Sequence, residues 1–251
     1  MYHSVAEEDE SAIGPYFRIA IGPALFLQQM SWLHDQGYRT TTLAAAMELL
    51  QTGGTAERTV VITFDDGYRN FHENAWPALE QFGFTATMFL PTASIGDQPR
   101  VFNRRECMTW SEVRALQQRG ISFGSHTVTH PQLHGLQPDR IREEMLQSRQ
   151  TIEENTGCSV DSFAYPYAFP QTDEPFKAML RQILRESGYR FGVCTQIGRA
   201  DAASDPLFLE RLPVNSADDR SLFDAKMAGS YDWVGGMQSL VKRIRKSRTK
   251  A

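Results

Sequence analysis

The sequence has little cysteine, no long apolar run and no excess of basic residues, and each absence excludes a class of protein. Three cysteines, Cys107, Cys158 and Cys194, stand far apart without a Cys-x-x-Cys pair, so we expect neither a disulfide framework nor a thiolate zinc site. The apolar runs are far shorter than the roughly 18 residues of a membrane span. The net charge of -4 argues against nucleic acid as a partner, because phosphate binding needs a broad basic surface.

The chain also lacks a secretory signal pattern at its start. Residues 1–5 read MYHSV, which is typical of folded sequence and not of a signal peptide. We therefore expect a cytoplasmic protein, or an exported one if a signal has been trimmed from this chain. A length of 251 residues, with 41% hydrophobic and 22% charged residues, is typical of a globular chain with one large core. We expect residues 1–251 to form a single domain.

Apolar strand-like runs alternate with helical patterns along the chain. The predicted strands are 59–64, 84–90, 121–124, 162–165, 191–195 and 208–214. The predicted helices are 23–36, 74–82, 110–120, 138–155, 174–187 and the segment after Trp233. Strands separated by helix-sized connections indicate an α/β fold with a mainly parallel sheet, and their number suits a distorted or incomplete (β/α)7–8 barrel. In such barrels the functional side chains lie where strands end and loops begin.

The most informative motif is a strand that runs directly into two carboxylates and a glycine. Residues 59–68 read TVVITFDDGY, which places Asp65 and Asp66 at the C-terminal end of the predicted strand. A turn at Gly67 can direct both carboxylates towards one cavity, where one binds a cation and the other stays free as a base. The spacing alone is equally consistent with an Asp-Gly turn in which Asp66 caps the next helix.

A second motif places two histidines four residues apart after another predicted strand. Residues 124–131 read GSHTVTHP, and the imidazoles of His126 and His130 converge if this loop makes one helical turn. Histidine and carboxylate ligands with an open position suit a hydrolytic metal. The pattern alone is also consistent with two unrelated surface histidines. Its place after a strand favours the metal, because separate strand ends deliver ligands to the same mouth.

Two later segments could complete such a site. Residues 163–168 read FAYPYA, a strand followed by a proline-fixed turn that could aim a backbone N–H at a developing oxyanion or serve only as a packing corner. Residues 210–214 read ERLPV, in which Arg211 could pair with a catalytic carboxylate and keep it ionised. A surface salt bridge is the alternative for Arg211.

Together these segments resemble the polysaccharide deacetylases of the NodB-homology type, carbohydrate esterase family 4. The resemblance rests on TFDDG at 63–67, HTVTH at 126–130 and YPY at 165–167, in that order, and it extends over most of residues 59–214. It implies a NodB-type α/β fold and removal of N-acetyl groups from an amino-sugar polysaccharide or oligosaccharide. It also implies one divalent metal ion, with zinc as the default and cobalt, nickel or iron as alternatives.

The same resemblance assigns roles to individual residues. Asp65 is implied as the catalytic base, and the backbone N–H of Tyr167 as part of the oxyanion hole. The implied metal ligands are Asp66, His126 and His130.

The sequence departs from the family pattern in its third motif and at its general acid. Phe163 stands where the family usually has an arginine, and Ala168 where it has a glycine, so Arg211 is our candidate for the partner of Asp65. The late Leu-x-His motif that supplies the general acid is missing, since no histidine follows His134.

The N-terminal segment offers a replacement for the missing acid. Residues 1–5 resemble the Tyr-His segment of the circularly permuted members that deacetylate poly-N-acetylglucosamine, in which the acid comes from the N-terminus. We therefore predict His3 as the general acid, with a disordered terminal histidine as the alternative.

Several interpretations remain open at this point. The scaffold could hydrolyse another small or cyclic amide, or it could be a non-catalytic carbohydrate-binding protein that has kept the metal site. The basic stretch 242–250 could dock to a membrane surface or a partner, or be a solvated tail. Tyr68, Trp110 and Tyr167 could stack on sugar rings or pack in the core, and we expect the loop 92–108 to shape substrate choice. We assign His34, His72 and His134 to surface or helix positions.

Overall fold

The fold is an α/β arrangement in which short strands alternate with helices. The computed structural model describes residues 1–54, 56–170 and 172–231. The strands are β1 (Ser4–Val5), β2 (Ala20–Ile21), β3 (Arg39–Thr40), β4 (Thr59–Val60), β5 (Thr63–Phe64), β6 (Thr87–Leu90), β7 (Val101–Phe102), β8 (Arg105–Glu106), β9 (Ser122–Ser125), β10 (Ser162–Ala164) and β11 (Phe191–Val193). The helices are α1 (Pro23–Asp35), α2 (Leu43–Gln51), α3 (Trp76–Gln81), α4 (Trp110–Gln118), α5 (Pro138–Thr156), α6 (Glu174–Glu186) and α7 (Arg220–Met227).

A parallel sheet of five strands forms the centre, in the order β11-β10-β9-β6-β5. Thr87 of β6 lies opposite both Thr63 of β5 and Ser122 of β9. Every residue of β5, β6, β10 and β11 is buried, as expected for parallel strands covered on both faces. Because all five strands run the same way, their C-terminal ends meet along one edge.

Backbone hydrogen bonds carry the sheet past both of its edge strands. Parallel bridges join Tyr2 to Phe64 on one side and Val193 to Leu209 on the other. The amino group of Met1 donates a hydrogen bond to the Leu212 carbonyl oxygen. The Met1 carbonyl oxygen accepts one from the Val214 N–H. The sheet therefore curls into a partial barrel, which confirms the predicted distorted (β/α) barrel. The N-terminal residues lie between its first and last segments.

An aromatic cluster fixes the N-terminal segment against α1 and β5. The ring of Tyr2 lies 5.2 Å from that of Phe26 and 5.3 Å from that of Phe64, and Phe64 lies 4.7 Å from Phe71. All four side chains are buried. Because such pairs add stability beyond the area they bury, the cluster holds Tyr2, and therefore its neighbour His3, in a defined place.

Helix boundaries follow the local signals in the sequence. Thr109 and Glu112 form the predicted capping box at the start of α4, and α5 ends at Gly157 in the left-handed conformation with φ 71° that glycine adopts readily. None of the helices in the described ranges is long and apolar enough to cross a bilayer.

Some predicted elements need correction. The predicted strand 208–214 is wrong: the segment bridges β11 only at Leu209, and Pro213 has no N–H to donate to a ladder. The predicted strand 59–64 is divided, since β4 pairs with β3 and β5 pairs with β6. A π-helical turn, Phe71–Ala75, precedes α3, and the helices α2 and α7 are not among the predicted ones. The predicted helix after Trp233 and the basic stretch 242–250 lie outside the described residues.

Candidate active site

Three potential metal ligands converge at the C-terminal edge of the sheet. Asp66 follows β5, and His126 and His130 follow β9. The Oδ1 atom of Asp66 lies 3.6 Å from Nε2 of His126 and 3.4 Å from Nε2 of His130, and the two Nε2 atoms are 3.1 Å apart. All three side chains are at least nine-tenths buried. The two motifs therefore meet at one mouth, as the sequence predicts.

Left-handed backbone, and not a helical turn, brings these ligands together. Asp66 has φ 75°, Thr127 has φ 70° and His130 has φ 55°, a region that residues other than glycine rarely occupy. The two histidines therefore converge without the helical turn that their spacing suggested as one way to bring them together. Such strained residues persist only where surrounding structure holds them, and they cluster at functional sites.

The hydrogen bonding of His126 orients its imidazole for a cation. Its Nδ1 lies 2.8 Å from the carbonyl oxygen of Ala164, so Nδ1 carries the proton and donates, which leaves the Nε2 lone pair directed at Asp66 and His130. Burial lowers the pKa of His126 to about 4 and that of His130 to about 3. Both imidazoles are therefore neutral at neutral pH, as metal ligands must be.

The Asp66 carboxyl also indicates a cation. Burial and then the charge of Asp65 raise the pKa of Asp66 to about 7, so this group ionises readily only when positive charge is close by. A metal ion bound about 2.0–2.2 Å from three donors sets them about 3.0–3.6 Å apart. The observed separations of 3.1–3.6 Å match this spacing, and these residues fit one divalent ion.

The neighbouring carboxylate, Asp65, pairs with Arg211 and is not part of the Asp66, His126 and His130 cluster. Nη1 of Arg211 donates to Oδ1 of Asp65 at 2.8 Å, and Nη2 donates to Oδ2 at 2.7 Å. Burial opposes ionisation of Asp65, but the charge and hydrogen bonds of Arg211 hold its pKa well below its usual range. Arg211 is only 6% exposed, so the surface salt-bridge interpretation is wrong.

His3 lies near the same carboxylate. Its Nε2 is 4.0 Å from Oδ2 of Asp65, and its side chain is 21% exposed. The backbone of Tyr2 fixes it, accepting a hydrogen bond from the Asp65 N–H at 3.0 Å and donating one to Thr63 at 2.8 Å. The alternative of a disordered terminal histidine is therefore wrong. Burial lowers the pKa of His3 to about 4 against the opposing effect of Asp65, so its imidazole is neutral at rest.

The segment after β10 presents a backbone donor to the mouth. Tyr167 has φ 59°, and its N–H donates no hydrogen bond within the described parts of the chain. Its ring is 54% exposed and lies 4.8 Å from the ring of His130. Tyr167 thus lies beside the candidate metal ligands, and its N–H has no acceptor among the described residues.

Phe163, which replaces the usual arginine, belongs to the core. Its ring packs 5.1 Å from Tyr165 and 5.4 Å from Tyr189, and the side chain is fully buried. Arg211 reaches Asp65 from the last segment of the barrel instead, so a different part of the chain supplies the positive charge.

The aromatic residues of the mouth are only partly as expected. Tyr68 and Trp110 are buried, at 0% and 5% exposure, so neither can stack on a sugar, whereas Tyr167 can. Within the loop 92–108, the hairpin of β7 and β8 brings Phe102 to 5.1 Å from the ring of His130. The remaining histidines lie elsewhere: His34 in α1, His72 in the π-helical turn and the exposed His134 beside Asp173.

Comparison with known proteins agrees with this geometry. Residues 52–192 match the family model described as Polysaccharide deacetylase. The chain belongs to the polysaccharide deacetylase family. It is 31% identical over 226 residues to the putative polysaccharide deacetylase YxkH of Bacillus subtilis, covering 90% of this chain and 74% of that protein. It is 22% identical over 208 residues to a Staphylococcus aureus poly-β-1,6-N-acetyl-D-glucosamine N-deacetylase, covering 78% of this chain and 68% of that protein.

A solved structure of similar fold extends the comparison. The Streptococcus pyogenes deacetylase PplD, solved in complex with acetate, superposes on this deacetylase with a TM-score of 0.78 at 26% identity, covering 90% of this chain and 96% of that one. The resemblance to NodB-type deacetylases is thereby confirmed. The matched range 52–192 includes the three candidate metal ligands and Asp65 but not His3 or Arg211, whose proposed roles rest on geometry.

Sequence reasoning missed one contributor to the site of this deacetylase. The carbonyl of Ala164 orients His126, yet a main-chain acceptor leaves no signature in the residue types. Only the position of residue 164 at the end of a predicted strand could have suggested it.

Proposed function

We propose that this deacetylase removes N-acetyl groups from an amino-sugar polysaccharide or oligosaccharide, using one divalent metal ion. The observation that carries the proposal is the pair of adjacent carboxylates with different surroundings. Asp66 faces two neutral imidazoles, whereas Asp65 is held ionised by Arg211 and stays free to act as a base. The name of the Staphylococcus aureus relative supports an N-acetylglucosamine polymer as the substrate class.

Asp66, His126 and His130 would hold the metal ion, which when bound polarises the acetamide carbonyl and lowers the pKa of a water molecule. Zinc is our default, and the Asp/His/His donor set also suits cobalt, nickel and iron.

Asp65 and His3 handle the protons of the hydrolysis. Asp65 accepts a proton from the attacking water as the new bond to the acetyl carbon forms. When the C–N bond breaks, the departing amine needs one proton. His3 is neutral at rest, so it first takes up the proton that Asp65 removed from the water, since its Nε2 lies 4.0 Å from the Asp65 carboxylate, and then gives that proton to the amine. One proton leaves the water and one reaches the amine, so the products are acetate and a free amino sugar.

Tyr167 and Arg211 stabilise charge without transferring protons. The Tyr167 N–H, which has no partner elsewhere in the described structure, donates to the oxyanion that develops on the acetyl group. Arg211 is a positioning residue that orients the Asp65 carboxylate through two hydrogen bonds and maintains its charge.

The test is acetate release from N-acetylglucosamine oligomers by metal-stripped protein, before and after addition of Zn²⁺, Co²⁺ or Ni²⁺. We expect release to depend on added metal and to fall in the His3→Ala variant. His34→Ala is the matched control, because His34 is an exposed histidine on α1.

Other outcomes would redirect the proposal. Release from small N-acetylated or cyclic amides but not from oligomers would indicate a different amide substrate. Binding of the oligomers without acetate release under any metal would indicate a carbohydrate-binding protein that has lost catalysis.

A further inference from the structure

A buried carboxylate on α5 contacts the loop that lies between the two metal-ligand histidines. Glu144 is only 1% exposed. Its Oε2 accepts hydrogen bonds from the backbone N–H groups of Val128 and Thr129, each at 2.8 Å, and its Oε1 accepts from the Thr129 hydroxyl at 2.7 Å. One carboxylate thus engages three donors from two consecutive loop residues.

The carbonyl groups of the same loop accept hydrogen bonds from another part of the chain. The N–H of Thr92 donates to the Thr127 oxygen at 3.1 Å, and the N–H of Ala93 donates to the Val128 oxygen at 2.9 Å. Both donors belong to the short helical turn that follows β6. The loop is therefore hydrogen-bonded both to that turn and to Glu144.

This loop needs support because its conformation is unfavourable by itself. Thr127 and His130 both have positive φ, which costs free energy for residues with a side chain. Without Glu144, the N–H groups of Val128 and Thr129 would have to bond to water, or the loop would have to relax. His126 directly follows β9, whereas His130 lies at the other end of the loop. Relaxation of the loop would therefore move His130 relative to His126.

We propose that Glu144 is a positioning residue for the metal site. It holds the 126–130 loop in the conformation that keeps Nε2 of His126 and His130 next to Asp66. Arg140 supports it, since Nη2 of Arg140 donates to Oε1 of Glu144 at 2.7 Å and balances its charge. The inference rests on the proposed function, because it presupposes that these histidines bind a metal ion.

The same helix offers a control of the same residue type at Glu153, whose side chain is 29% exposed. Glu153 also pairs with an arginine four residues earlier, Arg149, at 3.1 Å. It also accepts a backbone hydrogen bond from a following loop, from the Val160 N–H at 2.9 Å. That loop leads into β10 and carries no metal ligand, so loss of Glu153 removes similar bonds without touching the 126–130 loop.

The experiment compares Co²⁺ binding to metal-stripped wild-type, Glu144→Ala and Glu153→Ala proteins by calorimetric titration and by the visible spectrum of bound Co²⁺. We expect Glu144→Ala to weaken Co²⁺ binding by about 10- to 100-fold, as supporting residues of metal ligands do, and to change the spectrum. Glu153→Ala should bind Co²⁺ within about twofold of wild type, with an unchanged spectrum.

The conservative variant Glu144→Gln sharpens the test. Its amide oxygen can still accept from the Val128 and Thr129 N–H groups, so we expect an affinity between those of wild type and Glu144→Ala. If Glu144→Ala does not fold, Glu144→Gln and Glu153→Gln are compared by the same measurements.

Three results would overturn the inference. The first is wild-type Co²⁺ affinity and spectrum in the Glu144 variants. The second is equal weakening in the Glu144 and Glu153 variants, which would indicate general destabilisation of α5. The third is a wild-type protein that binds no Co²⁺, which contradicts the metal part of the proposed function directly and removes this inference with it.

Discussion

The mouth of the barrel and the groove beside α2 both adjoin β5 but differ in their chemistry. At the mouth, charged groups such as Asp65, Asp66 and Arg211 are buried, and the backbone is strained. The α2 groove, defined here by its lining residues, has a volume of about 710 Å³, and its walls are mainly apolar. They include Leu43, Met47, Leu50, Val61 and Leu209.

Cavity volume and buried charged groups therefore indicate different kinds of region in this protein. An apolar cavity shows only that side chains leave space. Buried ionisable groups with shifted pKa values are energetically unfavourable and cluster at functional sites. The two regions share a wall, because Arg211 lines the α2 groove and also pairs with Asp65. Substitutions on the two sides of this wall should therefore have different consequences.

The largest effect is expected for Asp65→Asn. Removing the base should lower acetate release by about 10³-fold, within the usual range of general acid–base catalysis, while Co²⁺ binding is retained because Asp66 and the histidines are intact. Kinetics and Co²⁺ titration measure the two quantities. His126→Ala is the contrasting variant and should lose both. Full activity in Asp65→Asn would show that another group is the base.

A smaller loss is expected for His3→Ala. Without the proposed acid the amine departs unprotonated, so acetate release should fall by about 10²-fold with little change in KM for the oligomer. A leaving group that needs no proton, such as an activated acetyl ester, should be hydrolysed at nearly the wild-type rate. If amide and ester hydrolysis fell equally in His3→Ala, the acid role would be contradicted.

Arg211→Lys probes the shared wall. Lysine keeps the positive charge but cannot make the two parallel hydrogen bonds of the guanidinium, so Asp65 should be less well oriented and kcat should fall by about tenfold. Arg181→Lys is a suitable control, since Arg181 pairs with Asp205 at the surface. An unchanged kcat in Arg211→Lys would mean that orientation of Asp65 does not limit the reaction.

The smallest effect on catalysis is expected for Met47→Ala in the α2 groove. Met47 is 3% exposed, so its truncation should lower the free energy of unfolding by about 2 kcal/mol, the low end for buried Met→Ala changes, because the site already borders a cavity. Urea denaturation measures this loss. We expect kcat and Co²⁺ affinity within about twofold of wild type at temperatures where the variant stays folded. A tenfold fall in kcat would mean that the groove and the mouth are coupled.

Much of the site could be predicted because its ligands come directly after strands. A parallel sheet brings the ends of its strands together whatever the details of the helices, so Asp66, His126 and His130 could be assigned from spacing and family resemblance. The left-handed conformations of Thr127 and Tyr167 could not, because neither residue type favours them. The expectations of a single domain and of a cytoplasmic location stay predictions.

The sequence by itself determined the chemistry available to this protein: two adjacent carboxylates, two spaced histidines and the strands that carry them. Only the tertiary structure decided which groups act together. Arg211 is 146 residues away from Asp65 along the chain, and His3 reaches the same carboxylate from the N-terminus. Local propensities do not encode such contacts. They exist because closing the sheet into a partial barrel brings its first and last segments side by side and buries the charges they carry.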